Sequence, residues 1–174
     1  MGHEEHRREA PGTVRVFVVT ASDSRTEPED VGGAYLREAA VRAGHEVAGY
    51  RLVKDEPAQI RAALEAAAAE RADAVVVNGG TGIAARDRTY EAVAGVLEKR
   101  IDGFGELFRA LSYQEIGSAA MLSRAVAGVW HGRAVFSVPG SPSAVRLAWE
   151  KLIGPELGHV IRELRKDRPE PDRE

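Results

Sequence analysis

Two aspartates and a run of glycines are the residues of this 174-residue chain best placed, by type and spacing, to do chemistry. The stretch AVVVNGGTGIAARDRTYE, residues 74–91, passes from a β-branched run to Gly79, Gly80, Thr81 and Gly82 and then to Asp87. Glycine takes positive φ without strain and lets a ligand approach the main chain, so the N–H groups of this turn can converge on phosphate oxygens. A carboxylate five residues beyond Gly82 would repel that anion unless a cation lies between them. The pairing points to a divalent ion, most simply magnesium brought in by a nucleotide. A plain strand-to-helix turn would need the same flexible residues, and the spacing is neither GxGxxG nor the P-loop pattern.

Three other polar loops carry groups that could join such a site. Ser22-Asp23-Ser24 offers hydroxyls and a carboxylate to a ribose, a phosphate or a metal, although the same residue types close turns and cap helices. Asp55, in Lys54-Asp55-Glu56, is either a second metal- or phosphate-organising carboxylate or part of a helix entry before Pro57. In Pro139-Gly140-Ser141-Pro142 the proline and glycine shape a turn, and Ser141 is placed to cap the helix that follows. Ser118 and Ser123 have neither a GxSxG elbow nor an evident histidine partner, which argues against a serine nucleophile. His3, His6, His45, His131 and His159 are scattered, with no helical metal-ligand spacing inside the expected domain. Phe104, Phe108, Leu111 and Met121 read as packing residues or a subunit contact.

The elements that must position these groups alternate. Val14 to Ala21 reads as a strand, Val31 to Ala43 as a helix stopped by Gly44, and His45 to Val53 as a second strand. Pro57 to Arg71 is an alanine-rich helix opened by proline, and Asp73 to Asn78 a strand whose consecutive valines mark it as covered on both faces. Helices are expected from Thr89 to Lys99, around Phe104 to Leu111, and from Ser143 to Leu164. Between the last two, the runs AVAGVW and RAVFSV flank His131-Gly132 as a hairpin, making a mostly parallel sheet mixed. Alternation of this kind gives an α/β fold, and loops at the carboxyl ends of its parallel strands converge on one crevice. The first three polar loops should therefore share a site.

Length and composition set the frame: one domain, with 44% hydrophobic residues for a core. A polar arm over residues 1–12, a domain over 13–166 and a charged, proline-bearing tail over 167–174 are expected. There is no apolar run of membrane-spanning length and no leader-like start, so a cytoplasmic protein is expected. Zero cysteines exclude disulfides, thiol nucleophiles and thiolate metal sites. A net charge of -3 without a basic, aromatic-interleaved cluster gives no case for nucleic acid.

Taken together, VVTASDSR, LVKDEP, NGGTGIAARDRTYEA, DGFGELFRALSYQEIGSAAMLSRAVAG and FSVPGSPSAV resemble, in order, the MogA/MoaB family of molybdenum cofactor biosynthesis. The segments GFGELFR and LSYQEIGS look closer to the MoaB branch. The resemblance implies a three-layer α/β/α sandwich that assembles as a trimer or as a hexamer of two trimers. It also implies adenylylation of molybdopterin by magnesium ATP, with ATP and molybdopterin as small-molecule substrates and pyrophosphate as the second product. Other proteins of the same biosynthesis are the further partners it suggests. By that likeness Asp55 and Asp87 are the catalytic, magnesium-linked carboxylates, and Gly79, Gly80, Thr81 and Gly82 the nucleotide loop. Ser22, Asp23 and Ser24 match a substrate-facing loop; Ser118, Ser123, Pro139, Gly140 and Ser141 match segments on the pterin side. Two residues depart from the family pattern: Asn78 stands where a small hydroxyl residue is common, and Tyr90 replaces the usual proline. Alternative readings are a non-catalytic molybdopterin-binding oligomer and, by analogy of fold alone, a nucleotide pyrophosphatase-like hydrolase.

Overall fold

The structure, a computed structural model, describes residues 12–167. Most of the expected arm and tail, with His3 and His6, lies outside the described residues. The fold is the expected α/β/α sandwich around a six-stranded mixed sheet of order β2-β1-β3-β6-β5-β4. Its strands are β1 Arg15–Ala21, β2 Glu46–Val53, β3 Ala74–Asn78, β4 Lys99–Arg100, β5 Val126–Trp130 and β6 Arg133–Val138. Strands β2, β1, β3 and β6 run parallel; β5 and β4 add antiparallel partners at one edge.

Alternation along the central strands divides the core in two, since successive residues of a strand face opposite sides. Val16, Val18, Val76 and Phe136 point toward helices α1 (Val31–Arg42), α4 (Asp102–Ile116), α5 (Pro142–Ala148) and α6 (Gly154–Arg165). Phe17, Val19, Val75 and Val135 point toward α2 (Pro57–Ala69) and α3 (Thr89–Ala94). The valine run in β3 is thus buried from both sides.

Helix ends follow local chemistry. After α1, Gly44 takes φ 84° and the N–H groups of Gly44 and His45 bond back to Val41 and Ala40, the paired bonds of a Schellman stop. After α2 the same pair of bonds forms around Arg71, which takes φ 54° without glycine's freedom and ends the helix two residues before the expected Arg71. The expected β5–β6 hairpin turns through His131 (φ 44°) and Gly132 (φ 70°), the two positive φ values that a tight twisted hairpin demands.

Three expectations need correction. The helix from Thr89 stops at Ala94, with Gly95 as its cap, and Lys99–Arg100 instead pair with Val129 and Gly128 as an edge strand. Glycine followed by β-branched Val96 weakens the helix enough for sheet pairing to win. The helix around Phe104 to Leu111 runs on to Ile116, where Gly117 (φ 65°) ends it. The last helix is interrupted at Trp149–Ile153 by a π turn, in which Gly154 N–H bonds to Trp149 O. Pro155 follows immediately and has no N–H to give the preceding turn, so the wider turn takes up the mismatch.

Candidate functional site

The register of the parallel strands sets the geometry of the site. Ala21 pairs with Val53, Thr20 with Asn78, and Asn78 with Val138, so β1, β2, β3 and β6 end nearly level. The loops that leave them begin at Ser22, Lys54, Gly79 and Pro139 and surround one cleft of about 560 Å³. Chain order reverses between β1 and β3, with β2 on one side and β3 on the other. That is where open α/β sheets bind ligands, and the volume suits a small molecule.

Most of the residues singled out by sequence meet there. Ser22, Asp23, Asp55, Gly79, Gly80, Thr81, Gly82, Asp87, Ser123, Pro139, Gly140 and Ser141 all line the cleft. Ser24 and Ser118 do not. Ser118 lies beyond Gly117, where the chain turns out of α4, and lines a separate hollow with Arg109, Tyr113 and Met121. Met121 is 79% exposed, so it is not a core residue, whereas Phe104 and Phe108 are buried as expected.

Asp55 is buried, and the structure decides against a capping role. The N-cap of α2 is Glu56, and the Asp55 carboxylate turns across to the glycine loop. Its Oδ1 accepts hydrogen bonds from Arg88 N–H at 3.0 Å and from the Thr89 hydroxyl at 2.8 Å. Its Oδ2 lies against Gly80, where any Cβ would collide with it. Gly80 holds φ 61° and Gly79 φ 100°, and a Cβ on Gly79 would strike the carbonyl of Ala21. Both glycines are therefore required by conformation and by space at once. Asp87 folds its own loop: Oδ2 accepts from Ala84 N–H at 3.0 Å, and Asp87 N–H returns a bond to Ala84 O.

Asp23 ties three loops together. Its Oδ1 accepts from Asp55 N–H at 3.1 Å and its Oδ2 from Arg86 at 3.0 Å, while Arg86 also pairs with Glu56 at 2.7 Å. The Arg86 guanidinium, and then the Asp55 amide, hold the Asp23 carboxyl below the usual carboxylate range. The Ser22 hydroxyl accepts from Arg25 N–H at 3.1 Å and closes the turn. Arg25 in turn donates to Gly140 O at 3.2 Å, bracing the fourth loop, and Ser141 caps α5 by accepting from Ala144 N–H.

Sequence reading missed the apolar half of the cleft. Phe108, Ile116, Ala119, Leu122 and Ala144 line it beside Ser112. The 3₁₀ segment Gly117–Leu122 after α4 carries part of this wall and delivers Ser123, whose buried Oγ has no hydrogen-bond partner among the described residues. Arg25 and Arg86 supply the cleft's positive charge. Arginine after the glycine loop was the available indication for Arg86; nothing in the spacing marked Ser112.

The donor set suits magnesium. Asp55 and Asp87 each spend one oxygen inside the protein and leave the other for a ligand, and both are hard donors facing one cleft. Among the described residues no group of three or more His, Cys, Asp or Glu side chains could hold a metal alone. The remaining ligands would have to come from phosphate and water, the usual manner of magnesium.

Comparison with known proteins bears on the family and the fold. The family described as "Probable molybdopterin binding domain" matches residues 17–159. Molybdenum cofactor biosynthesis protein B of Halalkalibacterium halodurans is 56% identical over 170 residues, covering 97% of this chain and all of that one. A crystal structure of molybdenum cofactor biosynthesis protein B superposes with a TM-score of 0.86 at 53% identity, covering 91% of this chain and 99% of the other. The tungsten cofactor synthesizing protein MoaB from Pyrococcus furiosus gives 0.83 at 38% identity, covering 90% and 99%. Fold, cleft and likeness along nearly the whole length place the chain in the molybdopterin-binding family of molybdenum cofactor biosynthesis, on its MoaB branch.

Proposed function

We propose that the protein adenylylates molybdopterin, using magnesium ATP and releasing pyrophosphate. The observation that carries this reading is the placement of Asp55 against Gly80 and Asp87 against Gly82, each with one oxygen outside the protein's own hydrogen bonds, in one cleft. In this account an oxygen of the pterin's terminal phosphate attacks the α-phosphorus of ATP. The bond from that phosphorus to the bridging oxygen breaks, and the electron pair leaves with pyrophosphate. No covalent enzyme intermediate is required. Magnesium, arriving with ATP, neutralises charge on the phosphate oxygens.

The chain's own residues supply position and electrostatics. Asp55 and Asp87 would hold the magnesium-bound triphosphate, and the amides from Gly80 onward, since Gly79 N–H is bonded to Val138 O, would meet its oxygens. Phe108, Ile116 and Leu122 offer an apolar wall for a flat heterocycle, with Ser112 and Ser123 as hydroxyl partners at its polar edge. Assembly as a trimer, or a hexamer of two, finds support in Leu107, Tyr113 and Met121, which lie outside the cleft. These apolar residues are exposed together on α4 and the following turn, as faces that meet another copy are.

Purified protein incubated with molybdopterin, magnesium and ATP labelled at the α-phosphate should transfer label to the pterin. A folded oligomer that binds both ligands and transfers none would overturn the proposal and leave a pterin-binding role.

A further inference from the structure

The glycine loop is gripped by a residue that lies outside the lining of the cleft and that the proposed reaction does not use. Arg124 follows the 3₁₀ segment and does not line the cleft. Its Nε donates to Thr81 O at 2.9 Å, and its Nη2 donates to Gly82 O and, at 3.5 Å, to Asp87 O. Its Nη1 pairs with the Glu91 carboxylate, and its guanidinium lies 4.8 Å from the centre of the Tyr90 ring. One side chain therefore holds both ends of the loop, Thr81 and Gly82 at its start and Asp87, Tyr90 and Glu91 at its end.

The consequence follows from peptide geometry. In a trans peptide the carbonyl of one residue and the N–H of the next point in opposite directions. With the Thr81 and Gly82 carbonyls drawn to Arg124, the N–H groups of Gly82 and Ile83 turn away from it, and neither has a backbone acceptor among the described residues. Arg124 also fixes the loop to the segment whose Leu122 and Ser123 line the same cleft. We propose that Arg124 is a positioning residue, which holds residues 81–87 in the anion-binding conformation before a ligand arrives. Naming the anion as the triphosphate of magnesium ATP rests on the function proposed above; the clamp itself does not. Arginine is suited to the task because its planar fork spans several acceptors, which a lysine ammonium cannot do.

The test compares full-length wild type with Arg124→Gln and Arg124→Lys. It measures amide exchange over residues 80–88, thermal midpoint, magnesium ATP affinity and, where turnover is seen, kcat. For Arg124→Gln the expected result is loop exchange about tenfold faster, with exchange in β1, β3 and β6 unchanged. Magnesium ATP should bind about tenfold more weakly while kcat at saturation stays within about threefold, the pattern of lost preorganisation. Arg124→Lys should fall between the two. Unchanged loop exchange in Arg124→Gln, or faster exchange throughout the sheet, would overturn the proposal. So would a fall in kcat at unchanged affinity. If wild type takes up no magnesium ATP, the nucleotide reading fails. The exchange comparison and a titration with magnesium pyrophosphate then decide on the clamp alone.

Discussion

Asp55, two residues past the end of β2, accepts a hydrogen bond from the hydroxyl of Thr89, the first residue of α3, buried and 2.8 Å long. That bond ties the segment after the glycine loop of β3 to the loop that leaves β2, across the end of β1, and leaves Asp55 Oδ2 against Gly80. Structure and proposed chemistry thus meet in one carboxylate, and two substitutions separate them. Asp55→Asn keeps an oxygen for Thr89 and Arg88 N–H but removes the charge. It should fold with a thermal midpoint close to wild type and lose about 10²-fold or more in adenylyl transfer. Asp55→Ala also strands two donors and should cost about 1–3 kcal/mol of stability. Chemical denaturation beside the transfer assay checks both; full activity in Asp55→Asn would remove Asp55 from the catalytic machinery.

Gly79 is expected to tolerate no side chain. At φ 100° an alanine is strained, and its Cβ would meet the Ala21 carbonyl, which no rotamer can relieve. Gly79→Ala should destabilise by about 1–3 kcal/mol, and the cleft should lose ligand affinity in the surviving folded fraction. Gly103, where a Cβ meets nothing within 4 Å, serves as the control, and Gly103→Ala should leave the midpoint unchanged or raised.

The exposed apolar surface around Met121 is expected to lie between copies of the chain. Met121→Asp should lower the assembly state in sedimentation velocity, while the monomer keeps its circular dichroism. An unchanged assembly would move the contact elsewhere.

Acid should loosen the clamp before it unfolds the sheet. Arg124 holds the Glu91 carboxyl, and Arg86 the Asp23 carboxyl, below their usual range. Because both are lowered by folding, their contribution is complete above the usual carboxylate pKa of about 4 and is lost as pH falls through the lowered values. The difference in thermal midpoint between wild type and Glu91→Gln should therefore be constant from about pH 6 to 8 and shrink as pH falls below the usual carboxylate range of about 4. A difference that grows toward acid would reverse the assigned sign.

Much of this was legible beforehand because it was periodic or conformational. Valines in β3, Pro57 at a helix start, Gly44 at a helix stop and His131-Gly132 between two apolar runs are local signs, and the structure follows them. The short strand Lys99–Arg100 was not legible, since two charged residues become a strand only through the edge that β5 offers them. The site divided in the same way. Residues at strand ends announced themselves by glycine and carboxylate, but Ser112, Phe108 and Arg124 reach the cleft or its loop from α4 and the segment after it, through tertiary packing with no local pattern. The geometry also moved Asp23 from a group free to meet a ligand to the tie between three loops.

The most direct test of the central claim is the stoichiometry of pyrophosphate release. Wild-type protein with magnesium ATP and molybdopterin should form pyrophosphate one for one with adenylyl-molybdopterin, and none when the pterin is omitted; Asp87→Asn should slow both together. Pyrophosphate or AMP formed without pterin, or no pyrophosphate from protein that binds both ligands, would contradict it.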